Sequence, residues 1–354
     1  MNDRVLTGSE LARRFHADTV APLLAQAMPR LRYAAGRLGS GSDVLGVDDV
    51  MSRDHDWGCR LTLLVDEADR DVVPQIIGLL ERELPQSYLD YPVRFPVTWD
   101  SSPAHKVEVA TVTGFAAGRL GLDPTGGMSV LDWLVLTGQS VLEVIAGPVF
   151  SDRTTGLAQV REVLRWYPAD VERYVLAAAW QRLSQEMPMV GRTAERGDDS
   201  GSRLLSTRLA DDLIWLAFVL SREWPPYPKW RGTAFQALTV AADLAAPVAA
   251  AAAAPAWRDR ESGLADACEV LLTAQRARGL PAPASAVARF FDRPYRTVDQ
   301  AVQEALLADI TDPEVNSLPP IGAVEQWVSS VDILARPARR TALRAAYLAW
   351  TELS

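Results

Sequence analysis

The chain has 354 residues, 48% of them apolar and 23% charged, which is enough for two domains and a large core and excludes a disordered, collagenous or fibrous protein. Its 36 basic and 45 acidic residues leave a net charge of −9. A nucleic-acid partner, which binds through its phosphates to a basic face, is disfavoured, whereas a cationic substrate or a metal held by carboxylates suits this balance.

In chain order, the opening MNDRVLTGSELARRF has charges where a signal peptide needs an apolar stretch, so a cytoplasmic location is expected. Ser9 is a candidate N-cap for a helix carrying Leu11, Phe15 and Val20 and meeting Pro22 and Pro29. A short extended piece over 31–38 leads into Gly39-Ser40-Gly41-Ser42. The β-rich run CRLTLLV at 59–65 predicts a strand, and the spacing of Val72, Ile76, Leu79 and Leu80 predicts a helix over 71–84. Two further strands are expected at 91–99 and at 106–113 (KVEVATVT), then a last strand and turn at 148–156.

From Leu157 the periodicity becomes helical, with Val171, Tyr174, Val175, Ala178 and Leu183 on one face. The stretch 204–220 is apolar nearly all round, as a central bundle helix would be, and Trp180, Trp215, Trp224, Trp230 and Trp257 are candidates for its core. Loops are expected at 188–202 and 225–228. The alanine-rich tract 240–257 is interrupted by Asp243, Pro247 and Pro255 and predicts a helix pair, not a membrane span. Cys59 and Cys268 build neither a disulfide framework nor a zinc cluster. The expected architecture is α+β: a small mixed-sheet domain over 1–156, then an α-helical bundle domain over 157–354, with the active site in the cleft between them.

The chemistry concentrates in 41–65, GSDVLGVDDVMSRDHDWGCRLTLLV. Gly41-Ser42, on a loop entering a helix, would offer backbone N–H groups and a hydroxyl to phosphate oxygens. Asp54 and Asp56 are one residue apart just before a strand, where they can share a cation. Two carboxylates about 4 Å apart repel by roughly 1–4 kcal/mol, depending on the local dielectric, and a divalent ion removes that cost. A third acid on a later strand completes a two-metal clamp for in-line phosphoryl chemistry. Glu108 is the candidate, with Asp100 in WDSSP as its competitor. His55 lies between the two aspartates and is expected to point away from them.

Gly41-Ser42, Asp54-x-Asp56 and Glu108 together resemble the signature of the polymerase-β-type nucleotidyltransferase superfamily. The wording GSDVLG…SRDHDWG is closest to an uncharacterised bacterial nucleotidyltransferase-like family. Further segments fit it, among them YPADVERYVLAAAWQRLSQE, VGRTAERGDDSGS, PPYPKWRGTAF and LPPIGAVEQW. The resemblance implies Asp54 and Asp56 as metal ligands and Ser42 as the phosphate-contacting serine; Glu108 is placed third by strand order. It implies transfer of a nucleoside monophosphate from an NTP to a hydroxyl or amine of a small-molecule acceptor, with two Mg²⁺ ions, or Mn²⁺, as cofactor. The alternatives are a non-catalytic nucleotide-sensing or protein-interaction module on the same fold, and nucleotide addition to RNA from a local arginine-rich patch.

All but Lys106 and Lys229 of the 36 basic residues are arginine. Lys229, in PYPKW, either packs its stem on Trp230 or reaches phosphate from the helical domain, as Arg192 in GRTAERGDDSGS would. Lys106 shares a strand face with Glu108 and either pairs with the acids or touches phosphate. A dinucleotide loop is excluded because position 44 is Val where Gly-x-Gly-x-x-Gly needs glycine, and no Gly-x-Ser-x-Gly marks a serine hydrolase.

Overall fold

The computed structural model describes residues 6–53, 57–97 and 100–351. The fold is α+β, a small mixed sheet with a helical region, divided into two compact units. Residues 1–128 and 140–165 form one, and residues 129–139 and 166–354 the other.

In the first unit, helix α1 (Gly8–Phe15) is capped by Thr7, whose extended backbone lets its hydroxyl accept the Glu10 N–H at 3.2 Å. Ser9, expected as the cap, is already inside the helix and donates to the Asp43 carbonyl at 2.7 Å. Pro22 cannot donate to the carbonyl of Asp18, four residues back. The helix crosses that gap through a π-turn over His16–Val20, with the Ala21 N–H donating to the His16 carbonyl, and resumes as α2 (Ala21–Ala27).

The sheet has strands β1 (Ala34–Gly36) and β2 (Arg60–Val65), the small separate hairpin β3 (Ser87–Tyr88) and β4 (Tyr91–Pro92) standing apart, then β5 (Arg94–Val97), β6 (Asp100–Thr111) and β7 (Val149–Asp152). Its order is β5-β6-β2-β1-β7. Among the described strands only β2 and β6 pair in parallel, in a register that sets Arg60 opposite Lys106 and Thr62 opposite Glu108. Leu61, Leu63, Val65, Val107 and Val109 alternate onto one face. There they meet Leu11, Phe15, Leu24, Ile76 and Leu80 from α1, α2 and α3 (Val73–Glu83) in one hydrophobic cluster. Arg60, Thr62, Lys106 and Glu108 fall on the other face. The Thr111 hydroxyl caps α4 (Val112–Leu120) by accepting the Gly114 N–H at 3.0 Å, so β6 ends two residues before the expected boundary at 113. No helix enters after Gly41-Ser42: residues 42–46 form turns, with the Val47 N–H returning to the Ser42 carbonyl at 2.9 Å.

In the second unit, α5 (Val130–Leu134) and the start of α6 (Gly138–Ile145) come from the 129–139 segment. Asp132 pairs with Arg344, and both Glu325 carboxylate oxygens accept the Gly138 N–H, at 3.2 and 3.3 Å. After α7 (Gly156–Val163), which packs in the first unit, the helical unit runs on as α8 (Ala169–Glu195) and α9 (Asp199–Ser221). The loop expected over 188–202 is helix except for a short turn at 196–198. Pro188 lies inside α8 and leaves the Ser184 carbonyl without its usual donor, and the Thr297 hydroxyl supplies one at 2.9 Å.

α10 (Pro228–Phe235) leads into α11 (Ala241–Ala253) and α12 (Trp257–Ala277); the tract 240–257, expected to hold a helix pair, forms the single helix α11, which runs through Pro247, and only its last residue begins α12. A Cβ on Gly263 would lie 2.6 Å from the Ala251 nitrogen and 2.7 Å from the Pro247 carbonyl, so the two helices approach on backbone. Trp180, Trp215 and Trp224 are buried as expected; Trp230 and Trp257 are half-buried. The buried Trp180 indole donates to Gln275 at 2.7 Å, and buried Glu172 takes Arg222, Arg278 and the Trp166 indole. The hairpin β8 (Val287–Arg289) and β9 (Arg296–Val298), which the sequence pattern does not announce, brings Thr297 to α8, and α13 (Gln300–Ala308) follows. Among the described residues, no helix is long and apolar enough to cross a membrane.

Candidate functional site

A cleft of about 230 Å³ opens in the first unit on the polar face of the sheet. It is built from three segments: the loop after β1 (Arg37–Ser40), the start of β2 (Arg60–Thr62) and the middle of β6 (His105–Glu108); Arg119 of α4 closes it. Among these residues Arg60, Lys106 and Arg119 carry positive charge against Glu108, while the charge of buried Arg37 is matched by Asp43. On a chain of net charge −9 this is a local concentration of positive charge, of the kind that attracts anions.

The loop is shaped by a buried ion pair. Arg37 donates through Nε and Nη2 to the two Asp43 carboxylate oxygens at 2.7 and 2.9 Å, and further to the carbonyls of Leu38 and Ser40. Both side chains are at least nine-tenths buried, and each nitrogen of the guanidinium has an acceptor, as a buried pair requires. Gly41 packs against it: its φ is +144°, and a Cβ there would meet Asp43 Oδ1 at 2.2 Å and Arg37 Nη2 at 2.4 Å. The physical demand for glycine at 41 is thus the Arg37–Asp43 pair. Gly39 and Ser40 line the cleft, whereas Gly41 and Ser42 are not among its lining residues.

Glu108 is exposed on the cleft wall and accepts from Arg119 Nη2 at 2.6 Å. Lys106, on the same strand face, holds its ammonium 5.6 Å from the Phe95 ring, and the Arg60 guanidinium lies 5.5 Å from the same ring. His105 Nδ1 accepts the Val107 N–H at 3.3 Å, and its Nε2 lies 3.2 Å from Glu81. Burial pushes its pKa below the ordinary 6.5, against the pull of Glu81.

Asp54, His55 and Asp56 lie outside the described residues, as does the Asp100 side chain. The residues on either side of Asp54–Asp56 are held together: the Arg53 guanidinium stacks 4.7 Å from the Trp57 ring and also donates to the Leu6 carbonyl, and Trp57 packs edge-on against Tyr91. Among the described residues, no three of His, Cys, Asp and Glu form a metal cluster.

Lys229 and Arg192 belong to the second unit. Lys229 is exposed in the first turn of α10, its ammonium 4.8 Å from the Trp230 ring. Arg192 is exposed in the last turn of α8 beside Tyr295, whose hydroxyl donates to Glu195. Sequence reasoning missed Arg37, Arg60 and Arg119. The signal for Arg60 was available in the β2 pattern, where it shares parity with Thr62 on the polar face; Arg119 has no local signal, because α4 itself was not anticipated.

The family described as a domain of unknown function, DUF4037, matches residues 133–231. No curated protein matches the chain. Among solved structures, the chain is similar to a nucleotidyltransferase-like protein from Exiguobacterium sibiricum 255-15, with 14% sequence identity over 76% of this chain and 81% of that one. The TM-score of that match is 0.33, too low to align individual site residues.

Proposed function

We propose that the chain is a metal-dependent nucleotidyltransferase that moves a nucleoside monophosphate from an NTP to a hydroxyl or amine of a small molecule and releases pyrophosphate. One observation carries the reading: Glu108, Gly39 and Ser40 line one cation-rich cleft at the start of β2, the strand that Asp54 and Asp56 precede in the sequence. A triphosphate is the most highly charged part of such a substrate, and Lys106, Arg60 and Arg119 draw it to that wall. The Arg37–Asp43 pair holds the loop backbone fixed as the phosphates arrive.

The donor set fits a hard divalent cation, since Asp54, Asp56 and Glu108 offer carboxylate oxygen alone and Glu108 faces the cleft with 42% of its side chain exposed. These three residues would hold Mg²⁺ or Mn²⁺, which supplies charge neutralisation on the phosphates and orientation for an in-line displacement. Glu108 would also take the acceptor's proton.

The test is calorimetry with ATP, GTP, CTP and UTP, with and without Mg²⁺, together with pyrophosphate release across a panel of acceptors. Asp54→Asn with Asp56→Asn is expected to abolish Mg²⁺-dependent triphosphate binding while the melting temperature stays or rises, because two crowded like charges are removed. Undiminished Mg²⁺-dependent binding in that variant would sink the reading. Nucleotide binding without pyrophosphate release from any acceptor would instead favour a sensing module.

A further inference from the structure

Glu108 and Arg119 join the one carboxylate among the cleft's described lining residues to one of its cations, 2.6 Å apart. Arg119 is held from other sides as well. Its guanidinium carbon stands 4.4 Å from the centre of the Phe115 ring, and its Nε is 3.7 Å from Glu143 Oε2. Its Nη2 lies 3.2 Å from the point a Cβ on Gly39 would occupy, at a backbone φ of +88° that favours glycine. The guanidinium therefore rests on Phe115 and against the Gly39 loop whether or not Glu108 is bound to it. The Glu108 bond is the exposed part of this arrangement, with 42% of the Glu108 side chain accessible. Exposed pairs of this kind contribute little and yield readily to a more highly charged competitor. Lys106, two residues before Glu108 on the same strand face, presents a second cation to the same space.

We propose that the Glu108–Arg119 pair is an anion site occupied by the protein's own carboxylate: a polyphosphate chain displaces Glu108 from Arg119 and is then held by Arg119 and Lys106. The exchange moves charges only, with no covalent bond made or broken. Its consequence for the proposed transferase is an order of events. Glu108 is released when the triphosphate arrives, so the acid is available for chemistry only with substrate in place. The choice of a triphosphate as the physiological anion rests on the transferase reading; the exchange itself requires neither metal nor turnover.

The experiment is calorimetric titration of inorganic tripolyphosphate into the full chain in chelator-containing buffer, for the wild type, Glu108→Gln, Arg119→Met and the double variant, each checked by thermal melting. Glu108→Gln is expected to bind about 3- to 10-fold tighter, because the internal competitor has lost its charge. Arg119→Met is expected to bind at least about tenfold more weakly. The double variant should match Arg119→Met, the gain from Glu108→Gln having vanished with the cation it depended on. A gain that persists without Arg119 would mark a long-range charge effect and overturn the exchange; so would unchanged affinity in Arg119→Met. If Arg119→Met does not fold, Arg119→Lys takes its place in the same cycle, with a smaller loss and a smaller Glu108→Gln gain expected, and an undiminished gain overturning the proposal. Absence of pyrophosphate release alongside this binding pattern would remove the transferase reading alone, whereas transfer without the pattern would remove the exchange alone.

Discussion

Arg37 is the residue on which the cleft loop depends, and its loss is the severest single change expected in the first unit. Arg37→Met leaves the Asp43 carboxylate buried without its cation, and breaking a buried pair in this way costs about 3–5 kcal/mol. Urea denaturation should show that loss, and Arg37→Met combined with Asp43→Asn should recover a large part of it; a single variant as stable as the wild type would mean that the loop is held by its backbone alone. Residue types were legible in the sequence to different depths. The alternation of KVEV set Lys106 and Glu108 on one face, and both line the cleft. Gly41, by contrast, was assigned to phosphate because a Gly-Ser pair commonly serves there. The contact that demands glycine at 41 is with Arg37 and Asp43, and no local pattern encodes that pair.

Elements were legible wherever periodicity was strong, as in β2, α3 and α9. The failures cluster at proline and at caps. The sequence pattern predicts a loop from Pro188, yet α8 continues, with Thr297, more than a hundred residues away in sequence, donating to the freed Ser184 carbonyl; at Pro22 the chain stays helical through a π-turn. A tertiary donor of that kind cannot be seen in a local window. The arrangement predicts a coupled pair of variants. Thr297→Val should destabilise the chain by about 1–2 kcal/mol, since it leaves a carbonyl without a donor. In a Pro188→Ala background the restored N–H bonds that carbonyl, and the same substitution should cost much less. Urea midpoints for the four proteins measure the coupling, and equal costs in both backgrounds would separate Thr297 from the proline.

At the scale of the whole molecule, the two textures of the sequence, strand-rich and then helical, correspond to a sheet unit and a helical unit, but the exchange of residues 129–139 into the latter was not legible, because a short apolar helix carries no sign of which core it joins. Among the described residues of the helical unit, burial raises the carboxyl pKa of Asp212, Glu261 and Glu325. Burial pushes the Glu325 carboxyl up to about 7 from 4.5 and that of Asp212 up to about 6 from 3.8. In each case the folded chain keeps a proton that the unfolded chain has lost, so the stability they confer is complete below about pH 4, declines as pH rises, and has gone above about pH 7. Glu325→Gln, which has no proton to release, should give a flatter profile and gain on the wild type between pH 4.5 and 7 in denaturation experiments; parallel profiles would show that Glu325 titrates like a free carboxylate. The 129–139 segment also sets a timetable for synthesis. Gly138 leaves the ribosome 187 residues ahead of Glu325, which at about 5–20 residues per second is a wait of roughly 10–40 s. Through that interval the Gly138 N–H waits for its acceptor, so the helical unit cannot close over the start of α6 until residue 325 has been made, and the nascent protein passes through a stage open to chaperone capture.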